Sequence, residues 1–227
     1  MCGRFTLTTE FSEFARKLGV KYDRTKFNPR FNVCPSQTVY IIPNDGSNEI
    51  KQARWGLVPS WSKDASIGAK LANARSEDIE TKPSFRSSFK RKRCLVLADG
   101  YYEWQAQSGS KLKVPWYFRL TSKEVFGFAG LWDTWKDPST ELLTVCLITT
   151  SANSVVEPVH HRMPVIVQER FQKIWLSTEE QPTERLKLCL DSVPAAKMEK
   201  YAVSTLVNKP QNDRPECIRP SGTEGCS

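Results

Sequence analysis

The chain has 227 residues, enough to bury a substantial core as one ordinary domain or two small ones. Its 33 Lys and Arg against 25 Asp and Glu leave a net charge of +8, which favours a polyanionic partner, although a moderately basic surface also serves solubility alone. No apolar run approaches the roughly 20 residues of a membrane helix, and the N-terminus lacks the charged and then apolar stretches of a secretory signal. The chain therefore reads as intracellular, with no membrane partner.

In chain order, Phe11, Phe14, Ala15 and Leu18 recur at helical spacing behind Thr9, with Gly19 placed to stop a short amphipathic helix. The stretches from Thr38 to Ile42, Cys94 to Ala98, Trp116 to Leu120, Val125 to Ala129, Leu142 to Thr150 and Met163 to Val167 are short, apolar and rich in β-branched or aromatic residues, and they read as strands. Turn signals at Asn44-Asp45-Gly46, Ser108-Gly109 and Asp137-Pro138 separate strands too closely for helical crossovers, which predicts a mostly antiparallel sheet. Helical patterns return from Glu169 to Leu176 and around Lys197 to Tyr201. The whole reads as α+β with a curved or closed β core. From Lys209 to Ser227 the chain is rich in Pro, Gly and polar residues, and its final positions read as disordered.

The seven cysteines (Cys2, Cys34, Cys94, Cys146, Cys189, Cys217, Cys226) are odd in number, scattered and without a C-x-x-C pair, so they suggest neither a disulfide framework nor a zinc site. Cys94 and Cys146 lie in apolar runs and read as small buried hydrophobes; Cys2 lies in none. Removal of Met1 would make Cys2 an N-terminal cysteine carrying amine and thiol together, with Gly3 leaving the approach uncrowded. An α-amine, with a reference pKa of about 7.7 to 8.0, is partly neutral at physiological pH and attacks an aldehyde, where a lysine at about 10.4 mostly cannot. The thiol then closes a five-membered thiazolidine, more durable than a Schiff base. Taken alone, a cysteine at position 2 is more often chance.

Other segments carry chemistry of their own. Asn73-Ala74-Arg75-Ser76-Glu77 places an amide two residues from a guanidinium on an extended or turn-like stretch; the amide suits a substrate hydroxyl or the N-terminal backbone and the guanidinium a phosphate, with a plain polar turn as the alternative. Asp99-Gly100-Tyr101-Tyr102-Glu103-Trp104 follows an apolar strand, so Glu103 is expected at a strand end in a pocket that raises its pKa; a satisfied surface glutamate is the alternative. His160-His161-Arg162-Met163-Pro164 holds the only two histidines. Adjacent histidines without acidic or thiol ligands nearby make a poor metal site, whereas one imidazole suits a proton shuttle. Lys82 to Arg93 interleaves aromatics with positive charge, as a phosphate-tracking segment, a solvated charge run or a localisation signal. Of the tryptophans in Trp55-Gly56-Leu57-Val58-Pro59-Ser60-Trp61, Trp55 reads as core and Trp61 as core or a stacking wedge.

In this order the segments resemble the SOS response-associated peptidase family, the abasic-site processing proteins of bacteria and eukaryotes. The resemblance rests on Met-Cys-Gly-Arg-Phe at the start, Asn32-Val33-Cys34-Pro35-Ser36, the Trp55 to Trp61 run, Asn-Ala-Arg-x-Glu, Lys-Pro-Ser-Phe-Arg, Asp-Gly-Tyr-Tyr-Glu-Trp, His-x-Arg-Met-Pro, and a closing segment of Val203 to Asn208 with Asn212-Asp213. It covers the chain up to about Pro220. It implies a single domain over 1–220 with a barrel-like β core and a few peripheral helices, a disordered tail over 221–227, and a basic groove for single-stranded DNA containing abasic sites. It further implies that Met1 is removed by the protein's own peptidase activity and that Cys2 forms a thiazolidine with the ring-opened sugar, with lyase-like chemistry at the same site. The family's functional positions map onto Cys2, Asn73, Glu103 and His160. Its DNA contacts map onto Arg4, Arg75 and Arg162, with Arg86 and Trp104 added. No metal, cofactor or second subunit is called for. Two departures stand out: Cys34 replaces the family's more usual alanine, and His161 adds a second imidazole. The competing readings are a cysteine peptidase acting on protein substrates and a non-covalent single-stranded DNA-binding module.

Overall fold

Runs of β-branched and aromatic residues fold into twelve strands among the described residues, which are 2–23, 27–107, 109 and 112–222 of this computed structural model. The strands are β1 (Phe5–Leu7), β2 (Arg30–Val33), β3 (Thr38–Pro43), β4 (Lys51–Trp55), β5 (Asn73–Arg75), β6 (Arg93–Ala98), β7 (Gly100–Ala106), β8 (Lys113–Leu120), β9 (Phe126–Lys136), β10 (Glu141–Ser151), β11 (Arg162–Pro164) and β12 (Met198–Ala202). Four short helices lie outside them: α1 (Ser12–Lys17), α2 (Arg86–Arg91), α3 (Glu169–Trp175) and α4 (Thr183–Lys187).

Strand β3 pairs with β4 and β6, β6 with β9, β9 with β10, and β10 returns to β4, so five strands close a barrel with no free edge in the ring. Strands β5 and β11 attach to β10. A second sheet runs β12-β8-β7-β1-β2. The α+β class with a barrel-like core is thus observed, and most pairs are antiparallel, but β10 runs parallel to both β4 and β5.

The chain passes from barrel to second sheet at Asp99, a buried carboxylate that accepts from Thr6 Oγ1 (2.5 Å), Thr8 N and Oγ1 (2.6 Å each) and Thr9 N (2.8 Å). Four donors to one carboxylate offset its desolvation and pin β1 beside the β6–β7 corner. Gly100, the next residue, has no room for a side chain, since a Cβ there would lie 2.1 Å from the Tyr117 hydroxyl. One apolar cluster holds Cys2, Phe5, Trp55, Tyr101, Phe118 and Phe128 between the two sheets; another packs Phe85, Phe89 and Trp175 of the helical side against the outside of the barrel strands. Each such large side chain contributes about 1.5–3 kcal/mol on full burial.

Three expectations are corrected. Lys197 to Tyr201 is not helical: Met198–Ala202 is strand β12, because pairing with β8 sets Glu199 opposite Arg119 and Tyr201 opposite Tyr117, contacts a helix would forfeit. Glu103 stands mid-strand in β7, not at a strand end. The basic stretch from Lys82 to Arg93 is no continuous phosphate track. It contains α2, which buries Phe89, and Arg93 is fully buried, its guanidinium donating to the carbonyls of Phe89, Lys90, Trp175 and Ser177. Of the predicted turns, Ser108 lies outside the described residues, as does the tail beyond Gly222.

Candidate active site

The Cys2 side chain is fully buried in the inter-sheet cluster, where the bare N-terminal motif had suggested an uncrowded approach. Its Sγ lies 3.9 Å from the Arg4 carbonyl oxygen. Burial first, then the charge of Glu103, pushes the thiol far above its ordinary value, so the sulfur is held neutral. From the barrel side, β5 runs parallel to β10 with Asn73 opposite Leu147, and the Asn73 amide donates from Nδ2 to the Cys2 carbonyl oxygen at 2.8 Å. Of the two partners the sequence left open for this amide, a substrate hydroxyl or the N-terminal backbone, the hydrogen bond is to the backbone.

From the second sheet, β7 presents alternate residues to each face. Tyr101 and Glu103 face the Cys2 side, while Tyr102 and Trp104 join the cluster on the other face with Tyr117, Val203 and Val207. Glu103 is 4% exposed, and desolvation raises its carboxyl from 4.5 to about 7. A carboxyl near neutrality can both give and take a proton at physiological pH.

His160 closes the turn that starts at Asn153, and Gln105 on β7 reaches that turn by donating to the Pro158 carbonyl at 2.9 Å. Its Nδ1 accepts from the Arg162 N–H at 3.0 Å, with the Arg162 carbonyl 3.1 Å away, so either protonation state finds a backbone partner. Burial holds its pKa below the ordinary 6.5. Gln105 lies two residues from Glu103 on the same face of β7, so its bond to Pro158 brings the His160 turn to the Glu103 side. His161 is exposed and stacks on His160 at 4.5 Å.

The arginines divide into groups. Arg75 shares a strand face with Asn73 by alternation and is exposed. Arg162 is 8% exposed and forks onto the Glu77 carboxylate, with Nη2 also 2.6 Å from the Thr149 carbonyl oxygen. Ser76 N donates to that same carbonyl, so Arg75 and Arg162 flank one spot. Arg4 lies over the Trp104 ring at 5.5 Å and donates to Asn32 Oδ1 (2.7 Å) and the Val207 carbonyl (2.6 Å). With Lys113, Thr205 and Asn208 they line an open depression. Arg86 is exposed on α2, whose apolar face joins the helical-side cluster, and no described contact brings it to Cys2. Trp55 is core, and Trp61 is exposed.

No role for Tyr101, or for the pairing of Glu77 with Arg162, was read from sequence. The Asn-Ala-Arg-x-Glu spacing was the available signal for Glu77.

A family model described as "SOS response associated peptidase (SRAP)" matches residues 1–210. The chain belongs to the SOS response associated peptidase family. Within it, abasic site processing protein YoqW of Bacillus subtilis (strain 168) is 42% identical over 222 residues, covering 96% of this chain and 99% of the relative. Abasic site processing protein HMCES of Gallus gallus is 38% identical over 229 residues, covering 86% of this chain and 67% of that one. A crystal structure of a Bacteroides thetaiotaomicron protein superposes with a TM-score of 0.86 at 26% identity, covering 97% of this chain and all of the other. The family membership read from the motifs is borne out. Among the described residues no helix is long and apolar enough to cross a membrane.

Proposed function

We propose that this family member captures the ring-opened aldehyde of an abasic site in single-stranded DNA as a thiazolidine on Cys2, after its own peptidase activity has removed Met1. The observation that supports this most is one buried meeting point of three groups: the Cys2 thiol, the Asn73 amide on the Cys2 carbonyl, and the Glu103 carboxyl held at about 7. In this reading His160 promotes opening of the sugar, the freed Cys2 amine adds to its aldehyde carbon with loss of water, and the thiol adds across the resulting C=N bond. Glu103 carries the protons and Asn73 fixes the new N-terminus. Arg75 and Arg162 bind phosphate beside this centre, and Arg4 and Trp104 take the strand along the neighbouring depression. Arg86 serves as an outlying phosphate contact.

The Arg162 guanidinium donates to both oxygens of the Glu77 carboxylate, and about half of the Glu77 side chain is exposed, which supports exchange of a phosphate for that carboxylate. Phosphate contacts of this kind position a strand without reading its sequence. The proposed chemistry runs in a monomer and uses no metal or cofactor.

The test is incubation with a single-stranded oligonucleotide carrying one abasic site, followed by denaturing electrophoresis without reductant. The native chain is expected to give a stable adduct, and Cys2→Ala, processed to a free amine, only an imine that needs borohydride to survive. An equally stable adduct from Cys2→Ala would assign capture to another nucleophile and reject the proposal.

A further inference from the structure

A buried hydroxyl without a partner costs about 1–3 kcal/mol and is rarely kept for the sake of stability. Four tyrosines cluster on the second sheet, and three of them satisfy their hydroxyls. Tyr102 donates to the Phe31 carbonyl (2.7 Å), Tyr117 bonds Thr6 Oγ1 (2.9 Å) and Tyr201 donates to the Ile218 carbonyl (2.9 Å). Tyr101 is the exception. It is fully buried, and its Oη has no hydrogen-bond partner among the described residues.

Its ring cannot easily turn to find one. It stacks on Phe118 at 5.1 Å, meets Phe128 edge-on at 6.1 Å, and sits opposite Phe5 on β1. Cys2 is packed in the same buried cluster as Tyr101, Phe5, Phe118 and Phe128, and Cys2 and Glu103 are the ionisable groups that act on the Tyr101 phenol. A second polar atom at the same place is also without a partner: Asn73 Oδ1, on the amide whose nitrogen holds Cys2. Two unsatisfied polar atoms around one reactive residue indicate a site built for groups that arrive with the substrate or develop during the reaction.

We propose that the Tyr101 hydroxyl donates a hydrogen bond to the Cys2 sulfur as the thiazolidine ring closes. This rests on the capture reaction proposed above. In the closing step the S–H bond breaks and a C–S bond forms to the sugar carbon. The C=N π pair becomes an N–H bond, its proton passing from sulfur to nitrogen by way of Glu103. Nothing is oxidised or reduced, and the Tyr101 O–H bond stays intact. The sulfur acquires negative character in an apolar setting during this transfer, and a buried donor committed to no other partner, on a ring held by Phe118 and Phe128, stabilises it there.

Tyr101→Phe deletes only the hydroxyl and keeps the ring contacts. Its melting temperature is expected to equal or exceed that of the native chain. Its reductant-independent adduct is expected to form roughly tenfold or more slowly, within the range set by loss of one preorganised donor. Borohydride-trappable imine should build up ahead of it, and ring closure should shift to higher pH. Unchanged closure overturns the proposal, as does slowing without imine build-up, which would place the defect before the ring. A lowered melting temperature with native closure would make the hydroxyl structural and also overturn it. If the native chain itself gives no reductant-independent adduct, the underlying capture reading fails instead, so the two failures are distinguishable.

Discussion

Glu103 should make the fold less stable as the pH rises, and removing its charge should reverse this. In the folded chain burial lifts the carboxyl from an ordinary 4.5 to about 7. Below 4.5 it is protonated whether the chain is folded or not; between 4.5 and about 7 only the folded chain keeps the proton. The stability it contributes is therefore full at low pH and lost as pH rises through about 7. At about 1.4 kcal/mol per pH unit, the interval corresponds to about 3 kcal/mol at pH 8, an upper bound because local relaxation softens burial. For a chain of this size that is about 6–12 °C in melting temperature. Urea unfolding of the native chain and Glu103→Gln at pH 5, 6, 7 and 8 isolates the effect, since His160 contributes equally to both. The variant should gain progressively on the native chain as pH rises, while capturing abasic DNA more slowly. Parallel stability curves across the range would show that Glu103 carries no buried-charge cost and would remove the basis for its acid–base role.

Other consequences follow from particular contacts. Binding to single-stranded DNA should weaken steeply with added salt and exceed binding to duplex, and Arg75→Ala should flatten the dependence of log affinity on log salt by roughly one phosphate contact; salt-independent binding in a filter or anisotropy titration would count against the arginine assignments. Gly100→Ala should destabilise by at least 1–3 kcal/mol, because its Cβ would strike the Tyr117 hydroxyl 2.1 Å away and disturb the bond from Tyr117 to Thr6. Native-like chemical denaturation of that variant would show that the corner adapts.

Much of this was legible in local pattern. The apolar run from Cys94 to Ala98 became a wholly buried strand, and the helix from Glu169 ended at Trp175 within one residue of its expected limit. What escaped was decided by distant partners. Met198–Ala202 has a helix-compatible composition, and only the neighbouring β8 makes it a strand. Arg93 looked like one more cation in a basic run, yet carbonyls from residues 175 and 177 draw it inside. Chemistry near Cys2 was readable from motifs, but its burial was not, because the core that covers it is assembled from Trp55, Tyr101, Phe118 and Phe128 on four different strands. The Glu77 carboxylate on Arg162 likewise joins positions 85 residues apart.

The most direct test is mass spectrometry of the N-terminus before and after capture. The account predicts that purified active protein begins at Cys2. After nuclease digestion, the DNA-derived mass should sit on Cys2, with one water lost relative to aldehyde plus protein. Full retention of Met1 in protein that forms the stable adduct, or mapping of the adduct to a lysine, would contradict it.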